Sequence, residues 1–223
     1  MERIDDLGIN NFRLISDTDL FCFGTDSVLL TDFANLRPGD TVADLCTGNG
    51  VIPVLLCAKY KAAKIYGIEL QQPSYSLACR NAELNGITDK LEFINDDVKN
   101  YRSYFKDGSF DVVTCNPPYM PANSGFVNPD DKKAIARHEI MINIEDIISV
   151  SSKLLKFGGH LYMVHRADRL CDIICTMRKY KMEPKRLCFI HPAPGKAPSL
   201  ILVDGMMGAK PALKIENPIY VNI

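Results

Sequence analysis

The chain has 223 residues, which is enough for one domain with a sizeable core. Hydrophobic residues make up 47% and charged residues 24%, a balance that argues against extensive disorder. No apolar run approaches the roughly 20 residues needed to span a bilayer, and the N-terminus carries acidic residues early, unlike a secretory signal. We therefore expect a cytoplasmic protein that does not associate with membranes.

The eight cysteines are scattered, lie mostly in apolar runs and include no CxxC pair. A chain of this length with this much apolar sequence does not need disulfides, and a zinc site needs a second ligand pair. We therefore expect reduced, buried cysteines and no metal. They are Cys22, Cys46, Cys57, Cys79, Cys115, Cys171, Cys175 and Cys188.

The net charge of −1 conceals an asymmetry along the chain. Residues 1–149 contain 14 Lys and Arg against 22 Asp and Glu, a balance of −8, whereas residues 150–223 contain 12 against 5, a balance of +7. A basic C-terminal third is compatible with a polyanionic partner such as RNA, and equally with solvated helix faces. Charge alone leaves both interpretations open.

Short apolar runs alternate with amphipathic stretches, which predicts a parallel sheet with crossover helices. An initial turn and helix are expected within residues 24–33. The predicted strands are Thr41–Cys46, Lys64–Glu69, Lys90–Asn95, Phe110–Cys115, Gly159–Val164, Arg186–His191 and Leu200–Asp204. The predicted helices are Val51–Tyr60, Ser74–Asn85, Val98–Phe105, Asn143–Phe157 and Asp168–Tyr180. Residues 116–142 form an unusually long, proline-containing connection, and such connections tend to be functional.

A glycine-containing turn follows the first of these strands, in the run from Asp44 to Gly50. Its glycines allow the backbone to turn sharply and to approach a ligand closely. A dinucleotide site would have a third glycine where this chain has Pro53, so a pyrophosphate ligand is disfavoured. The turn is compatible with a nucleoside ligand that lacks pyrophosphate.

Acidic residues follow the next two strands. Glu69 ends the second, where a carboxylate can accept hydrogen bonds from both hydroxyls of a ribose. Asp96 and Asp97 follow the third, where an acid can accept from an adenine amino group while Val98 packs on the ring. Each acid alone is as compatible with a helix cap. Their positions after successive strands together favour an adenosyl ligand.

The fourth strand runs into Asn116-Pro117-Pro118-Tyr119. Proline restricts the preceding residue to extended conformations, so the Asn116 amide oxygen and the Pro117 carbonyl become two acceptors fixed side by side. Their complement is an NH₂ group, whose nitrogen gains positive charge as it attacks a sulfonium methyl. Tyr119 offers a face on which a planar base could stack.

Together these residues resemble the class I methyltransferases, which implies a Rossmann-like α/β fold with a seven-stranded, mostly parallel sheet flanked by helices. The resemblance implies S-adenosyl-L-methionine as cofactor and S-adenosyl-L-homocysteine as product. The implied cofactor-binding residues are Asp44, Cys46, Gly48, Gly50, Glu69, Asp97 and Asn116, and the implied catalytic residues are Asn116, Pro117, Pro118 and Tyr119.

A narrower resemblance, to the bacterial valine-tRNA adenine-N6 methyltransferases, rests on the runs Phe21–Leu30, Ala136–Glu139 and Val164–Arg166. It implies tRNA as partner, Thr25 and Asp26 near the methionine end of the cofactor, and Arg137, His138 and Arg166 near the acceptor. The ten Lys and Arg residues between Lys153 and Lys196 would then contact phosphates. We predict an N-terminal segment, residues 1–40, that packs on the cofactor site of a methyltransferase domain, residues 41–223.

Three alternatives remain at this point. The Asn-Pro-Pro-Tyr motif also suits the amide of a protein glutamine, so a release factor is a second candidate acceptor. Guanine-N2 in ribosomal RNA is a third, although that motif more often ends in Phe or Leu. A binding module without turnover is the alternative outside enzymes. The oligomeric state is open.

Overall fold

A mostly parallel β-sheet forms the centre of the protein. The computed structural model describes residues 1–17, 24–62, 64–118 and 143–221. The sheet contains seven longer strands, β3 (Thr41–Leu45), β4 (Lys64–Glu69), β5 (Leu91–Asn95), β6 (Phe110–Cys115), β7 (Leu155–Arg166), β8 (Met182–His191) and β9 (Leu200–Met207). Their order across the sheet is β8-β9-β7-β6-β3-β4-β5, and β9 alone among these seven runs antiparallel to its neighbours. The predicted fold class is confirmed.

Four short strands were not predicted from the sequence. An N-terminal hairpin joins β1 (Glu2–Asp6) to β2 (Arg13–Asp17). At the far edge of the sheet, β10 (Lys214–Ile215) and β11 (Ile219–Tyr220) pair in parallel with β8. Strand β11 is the last described element of the chain.

The sheet is covered by helices on both faces. The helices are α1 (Thr25–Phe33), α2 (Val51–Lys59), α3 (Gln72–Leu84), α4 (Ile144–Leu154) and α5 (Leu170–Lys179), with 3₁₀ helices at Val98–Ser103 and Ala167–Arg169. Successive residues of one strand point to opposite faces, so Val42 packs with α1 and α2 while Ala43 packs with α4. Burial on both faces explains why these strands read as continuous apolar runs.

Helix boundaries agree with the prediction to within two residues, except at the end of α4. Asn143 caps α4 by accepting a hydrogen bond from the backbone N–H of Asp146 at 2.8 Å. The helix was expected to continue to Phe157, but it ends at Leu154 because the chain enters β7 and Leu155 pairs with Phe110. Gly158 and Gly159 therefore lie within β7.

The hairpin docks on α3 through a buried asparagine. Asn81 is fully buried, accepts a hydrogen bond from the N–H of Ile15 at 2.6 Å, and donates to the carbonyl of Ile15 at 3.1 Å. Its Nδ2 also donates to the carbonyl of Asn49 in the glycine-containing turn, at 2.9 Å. One side chain thus joins the N-terminal segment to the turn. The proposed domain boundary at residue 40 stays a prediction.

Two expectations drawn from composition can be compared with the described residues. The seven cysteines described are all unpaired thiols, but Cys171 and Cys175 are exposed on α5, so the expectation of burial was wrong for these two. They face solvent because the buried face of α5 is formed by Ile173 and Met177. Among the described helices, none is long and apolar enough to cross a membrane.

Candidate active site

A cleft opens where the strand order reverses, at the carboxyl ends of the neighbouring strands β3 and β6. This is the position at which open α/β sheets bind ligands. Seven of the predicted cofactor-binding and catalytic residues line it, namely Cys46, Gly48, Glu69, Asp97, Asn116, Pro117 and Pro118. Ile68, Leu70, Gln71, Ser74, Val98 and Lys99 complete the described lining.

Glu69 is held at the centre of the cleft by backbone groups. Its Oε2 accepts a hydrogen bond from the N–H of Gly48 at 2.8 Å, and its Oε1 accepts from the N–H of Gln71 at 2.8 Å. Burial raises the pKa of Glu69, and these two N–H groups oppose the shift. Each oxygen retains acceptor capacity, so the carboxylate can receive a pair of neighbouring hydroxyls.

The turn between β3 and α2 needs its unusual backbone. Gly48 has φ +58° and a Cβ built on it meets nothing within 4 Å, so its surface belongs to the open cleft. Gly50 has φ +80° and a Cβ there would lie 2.7 Å from the Phe93 ring, so Gly50 serves packing behind the cleft. Cys46 adopts φ +59°, a conformation uncommon outside glycine. In the described part of the chain, the Nδ2 of Asn49 is buried without a hydrogen-bond partner.

Asp44 lies beneath the cleft and not on its wall. It is fully buried, and it accepts hydrogen bonds from the hydroxyls of Thr47 and Thr114, both at 2.6 Å. Burial raises the pKa of Asp44 to about 7, and the two hydroxyls oppose the shift. Because Thr47 belongs to the glycine turn and Thr114 to β6, Asp44 ties the two sides of the cleft together.

The third acidic position also matches its predicted place. Asp97 lines the cleft and caps the 3₁₀ helix by accepting from the N–H of Lys99 at 2.9 Å. Asp96 turns away and accepts hydrogen bonds from Asn100 and Tyr104, which with a backbone contact lower its pKa. Buried Val98 lies beside Asp97 on the lining, so an apolar surface and an acceptor are adjacent there.

Asn116 contacts the start of α1. Its Nδ2 donates to the Asp26 carboxylate at 3.2 Å and to the Ser27 hydroxyl at 3.0 Å. A carboxylate only accepts hydrogen bonds, so the NH₂ end of the carboxamide must face α1, and the carbonyl oxygen is the other end of a planar group. Thr25 is exposed, and neither Thr25 nor Asp26 belongs to the described lining of the cleft.

Strand β7 extends past the cleft on the acceptor side. Cys115 pairs with Met163, so His165 and Arg166 continue beyond the pairing at the edge where Asn116 lies. Burial lowers the pKa of His165 to about 4, with the neighbouring Arg169 contributing, so His165 is neutral near pH 7. Its Nδ1 accepts from the N–H of Arg166 at 2.8 Å, and the Arg166 side chain pairs with Asp168.

The ten C-terminal cations expected to contact phosphates do not form one surface. Strands β7 and β8 are both antiparallel to β9, so they run in the same direction. Arg166 ends β7, Arg169 follows it, and Lys196 follows β8, so these three lie at the edge that contains the cleft. The other seven lie in or beside the first halves of β7 and β8 or at the ends of α4 and α5, away from the cleft edge; they are Lys153, Lys156, Arg178, Lys179, Lys181, Lys185 and Arg186.

Several predicted site residues lie outside the described residues. They are Tyr119, Arg137 and His138. Conversely, the sequence did not single out Ser27, Thr47, Asn81 or Thr114, which contact Asn116, Asp44 or the glycine turn. The only sequence signal was the polar character of Thr114 in the apolar second half of β6. The other three sit on helices or turns, where a polar residue is unremarkable.

The fold and the cleft define a Rossmann-like methyltransferase. A sequence-family model described as "Methyltransferase small domain" matches residues 18–179. Among curated relatives, a tRNA1(Val) (adenine(37)-N6)-methyltransferase of Porphyromonas gingivalis is 30% identical over 187 residues, which cover 81% of this chain and 72% of the relative. The chain therefore belongs to the tRNA1(Val) (adenine(37)-N6)-methyltransferase family, within the methyltransferase small domain proteins.

Solved structures agree with this fold. A predicted O-methyltransferase from Agrobacterium tumefaciens superposes with a TM-score of 0.70 at 22% identity, covering 87% of this chain and 86% of that one. The geranyl diphosphate C-methyltransferase of Streptomyces coelicolor, solved with S-adenosyl-L-homocysteine, gives 0.60 at 13% identity, covering 82% and 75%. At these identities the similarity concerns the fold.

Proposed function

We propose that this protein transfers the methyl group of S-adenosyl-L-methionine to the N6 amine of an adenine in tRNA, in the cytoplasm. The observation that carries the proposal is the convergence in one cleft of Glu69, Asp97 and the Asn116-Pro117-Pro118 turn. The first two suit an adenosyl group, and the turn suits an NH₂ acceptor. Membership of the family supports the choice of tRNA.

The described residues fit the cofactor. Glu69 would accept hydrogen bonds from the ribose hydroxyls, and Asp97 would accept from the adenine amino group while Val98 and Leu70 cover the ring. The open space at Gly48 leaves room for a ligand directly above the turn. When bound, the cofactor would supply a methyl group on a positively charged sulfur.

On the acceptor side, the Asn116 amide oxygen and the Pro117 carbonyl would accept the two hydrogens of the adenine amine. This grip would favour a pyramidal nitrogen and stabilise the positive charge that grows on it, so a strong base is not needed. Tyr119, Arg137 and His138 are proposed to line the acceptor pocket, as the family resemblance implies. A base in folded RNA would have to leave its stack to reach the cleft.

The direct test supplies methyl-labelled S-adenosyl-L-methionine to the purified protein with unmodified total tRNA, and with release factor in a parallel reaction. We expect label in N6-methyladenosine from tRNA. Label only in the release factor would retain the cofactor assignment and overturn the acceptor. Label in neither would contradict the proposed function.

The distribution of cations predicts which ones contact tRNA. We expect Arg169→Ala and Lys196→Ala, at the cleft edge, each to weaken tRNA binding several-fold and to reduce the salt slope of the affinity by about one. The matched control is Lys153→Ala at the opposite edge, which should change neither quantity. The ion pair of Arg169 with Asp172 is exposed, so losing it should cost little stability. Filter binding across a salt series measures the slopes, and equal effects from the two edges would contradict the assignment.

A further inference from the structure

The N-terminus of α1 contacts the side chain that carries the proposed chemistry. We infer that Asp26 and Ser27 position the Asn116 carboxamide, turning its oxygen to the acceptor and increasing the negative charge on that oxygen. This inference rests on the proposed function and assigns Asp26 a role beyond proximity to the cofactor. Asp26 and Asn116 are 90 residues apart in sequence, one at the start of α1 and the other directly after β6.

The orientation argument starts from the two hydrogens of the carboxamide. Nδ2 has two N–H donors, and two acceptors lie within reach of it, the Asp26 carboxylate at 3.2 Å and the Ser27 hydroxyl at 3.0 Å. Ser27 is 2% exposed, so water does not compete with its hydroxyl for the Asn116 donor. A carboxamide restrained in this way cannot rotate its NH₂ group towards the incoming amine. That orientation would place two hydrogen-bond donors against each other.

The charge argument concerns the carboxylate. A hydrogen bond from an amide N–H to an anion is stronger than one between neutral groups, and hydrogen bonds in series polarise one another. Electron density is therefore shifted through the planar amide towards its oxygen. An acceptor oxygen with more negative charge binds most strongly when the amine becomes positive, so the benefit falls on the transition state and not on substrate binding.

The local sequence explains why Asp26 can occupy this position. Its Oδ1 accepts from the N–H of Ser27 at 3.0 Å, in the first turn of α1, where a negative charge is stabilised by the helix dipole. A Cβ added to Gly24 would lie 2.7 Å from the same Oδ1. Gly24 has φ −106°, so its backbone does not require glycine. The glycine is needed because any side chain there would displace the carboxylate.

Three variants separate the two parts of the argument. Asp26→Asn retains an acceptor but removes the charge, and we expect kcat to fall about 10-fold. Asp26→Ala removes both and should lower kcat about 100-fold, as for loss of a hydrogen bond to a charged group. Gly24→Ala displaces the Asp26 carboxylate without changing its chemistry, so its kcat should lie between those of wild type and Asp26→Ala. Asp32→Asn, at the other end of α1 and paired with Lys59, is the matched control and should match wild type.

The readouts distinguish positioning from cofactor binding and from a general loss of structure. The Kd for S-adenosyl-L-methionine, measured by calorimetry, should stay within about 3-fold for Asp26→Asn, while kcat at saturation falls. In an Asn116→Ala background the same substitution should lower kcat less than 2-fold further, because Asp26 acts through Asn116. A loss confined to Kd, or a loss that persists without Asn116, would overturn the inference.

A last measurement keeps the inference separate from the proposed acceptor. The side-chain NH₂ resonances of Asn116, assigned by their disappearance in Asn116→Ala, should move in Asp26→Asn and stay in place in Asp32→Asn. This spectrum needs no substrate, so it decides the contact even if tRNA proves not to be methylated. Unchanged resonances in Asp26→Asn would overturn the inference, whereas absence of label in wild-type reactions would overturn the proposed function alone.

Discussion

The two sides of the cleft are built by different means. On the cofactor side, Glu69 and Asp97 are held mainly by backbone N–H groups of adjoining turns, those of Gly48, Gln71 and Lys99. On the acceptor side, Asn116 is held by side chains of a helix that lies 90 residues earlier in the chain. A hydrogen bond from a backbone N–H is kept when the side chain of the donor residue is changed. A hydrogen bond to a side chain is lost when that side chain is replaced. The comparison teaches that cofactor binding should be robust and turnover easily altered.

The largest effect should come from Asn116. Asn116→Ala removes one of two proposed acceptors for the amine, and we expect kcat to fall about 1,000-fold, as when a preorganised group is lost from an active site. The cofactor Kd should stay near wild type, since Glu69 and Asp97 keep their backbone partners. Methyl-transfer assays and calorimetry measure the two quantities. Full activity of Asn116→Ala would refute the mechanism. A loss of cofactor affinity as large as the loss of kcat would contradict the distinction between the two sides.

Asn81 tests whether the cofactor side also depends on one distant side chain. Asn81→Ala would leave buried groups of Ile15 and Asn49 without partners, so we expect about 3 kcal/mol less free energy of unfolding. Asn85 contacts Arg13 in the same hairpin by the same pair of bonds, but at the surface. Asn85→Ala is therefore the matched control, and water should limit its cost to about 1 kcal/mol. Equal losses in urea denaturation would contradict this role of burial.

Replacement of Glu69 tests the cofactor side directly. We expect Glu69→Ala to weaken cofactor binding between about 10-fold and 100-fold, the usual size of a lost charged hydrogen-bond partner, while kcat at saturating cofactor changes little. Glu92, exposed on β5 and paired with Lys64, offers a control carboxylate whose replacement by Ala should have no effect. A fall in kcat with unchanged Kd would place Glu69 in the chemistry instead.

The effect of Asp44, which joins the two sides, is the most gradual of these, because it is spread over several pH units. Its folded pKa, about 7, lies above the usual value of 3.8, so between these values the folded protein keeps a proton that the unfolded chain releases. The stability that this proton provides is complete below about pH 4 and is lost as pH rises through about 7. Relative to Asp44→Asn, wild type should lose up to about 1.4 kcal/mol per pH unit across this window. Parallel pH profiles of unfolding free energy for the two proteins would contradict the assignment.

Most of the fold could be predicted from local pattern. All seven long strands, the helices between them and the mostly parallel arrangement follow from apolar runs alternating with amphipathic stretches, because strands buried on both faces must be continuously apolar. The hairpin was missed because Glu2–Asp6 is largely polar and exposed, and it pairs only where β2 docks on α3. The end of α4 was placed late because pairing of Leu155 with β6 overrides helix propensity.

The sequence by itself determined which residues meet at the proposed cofactor half of the cleft. Gly48 and Asp97 follow strands and Glu69 ends one, and parallel strands end at a common edge. Only the tertiary structure decided which residues act behind that surface. The contact of Asp26 with Asn116, the burial of Asp44 between Thr47 and Thr114, and the separation of the C-terminal cations between two edges all join segments distant in sequence. Such contacts depend on the order of the strands across the sheet, and that order cannot be derived from residue spacing along the chain.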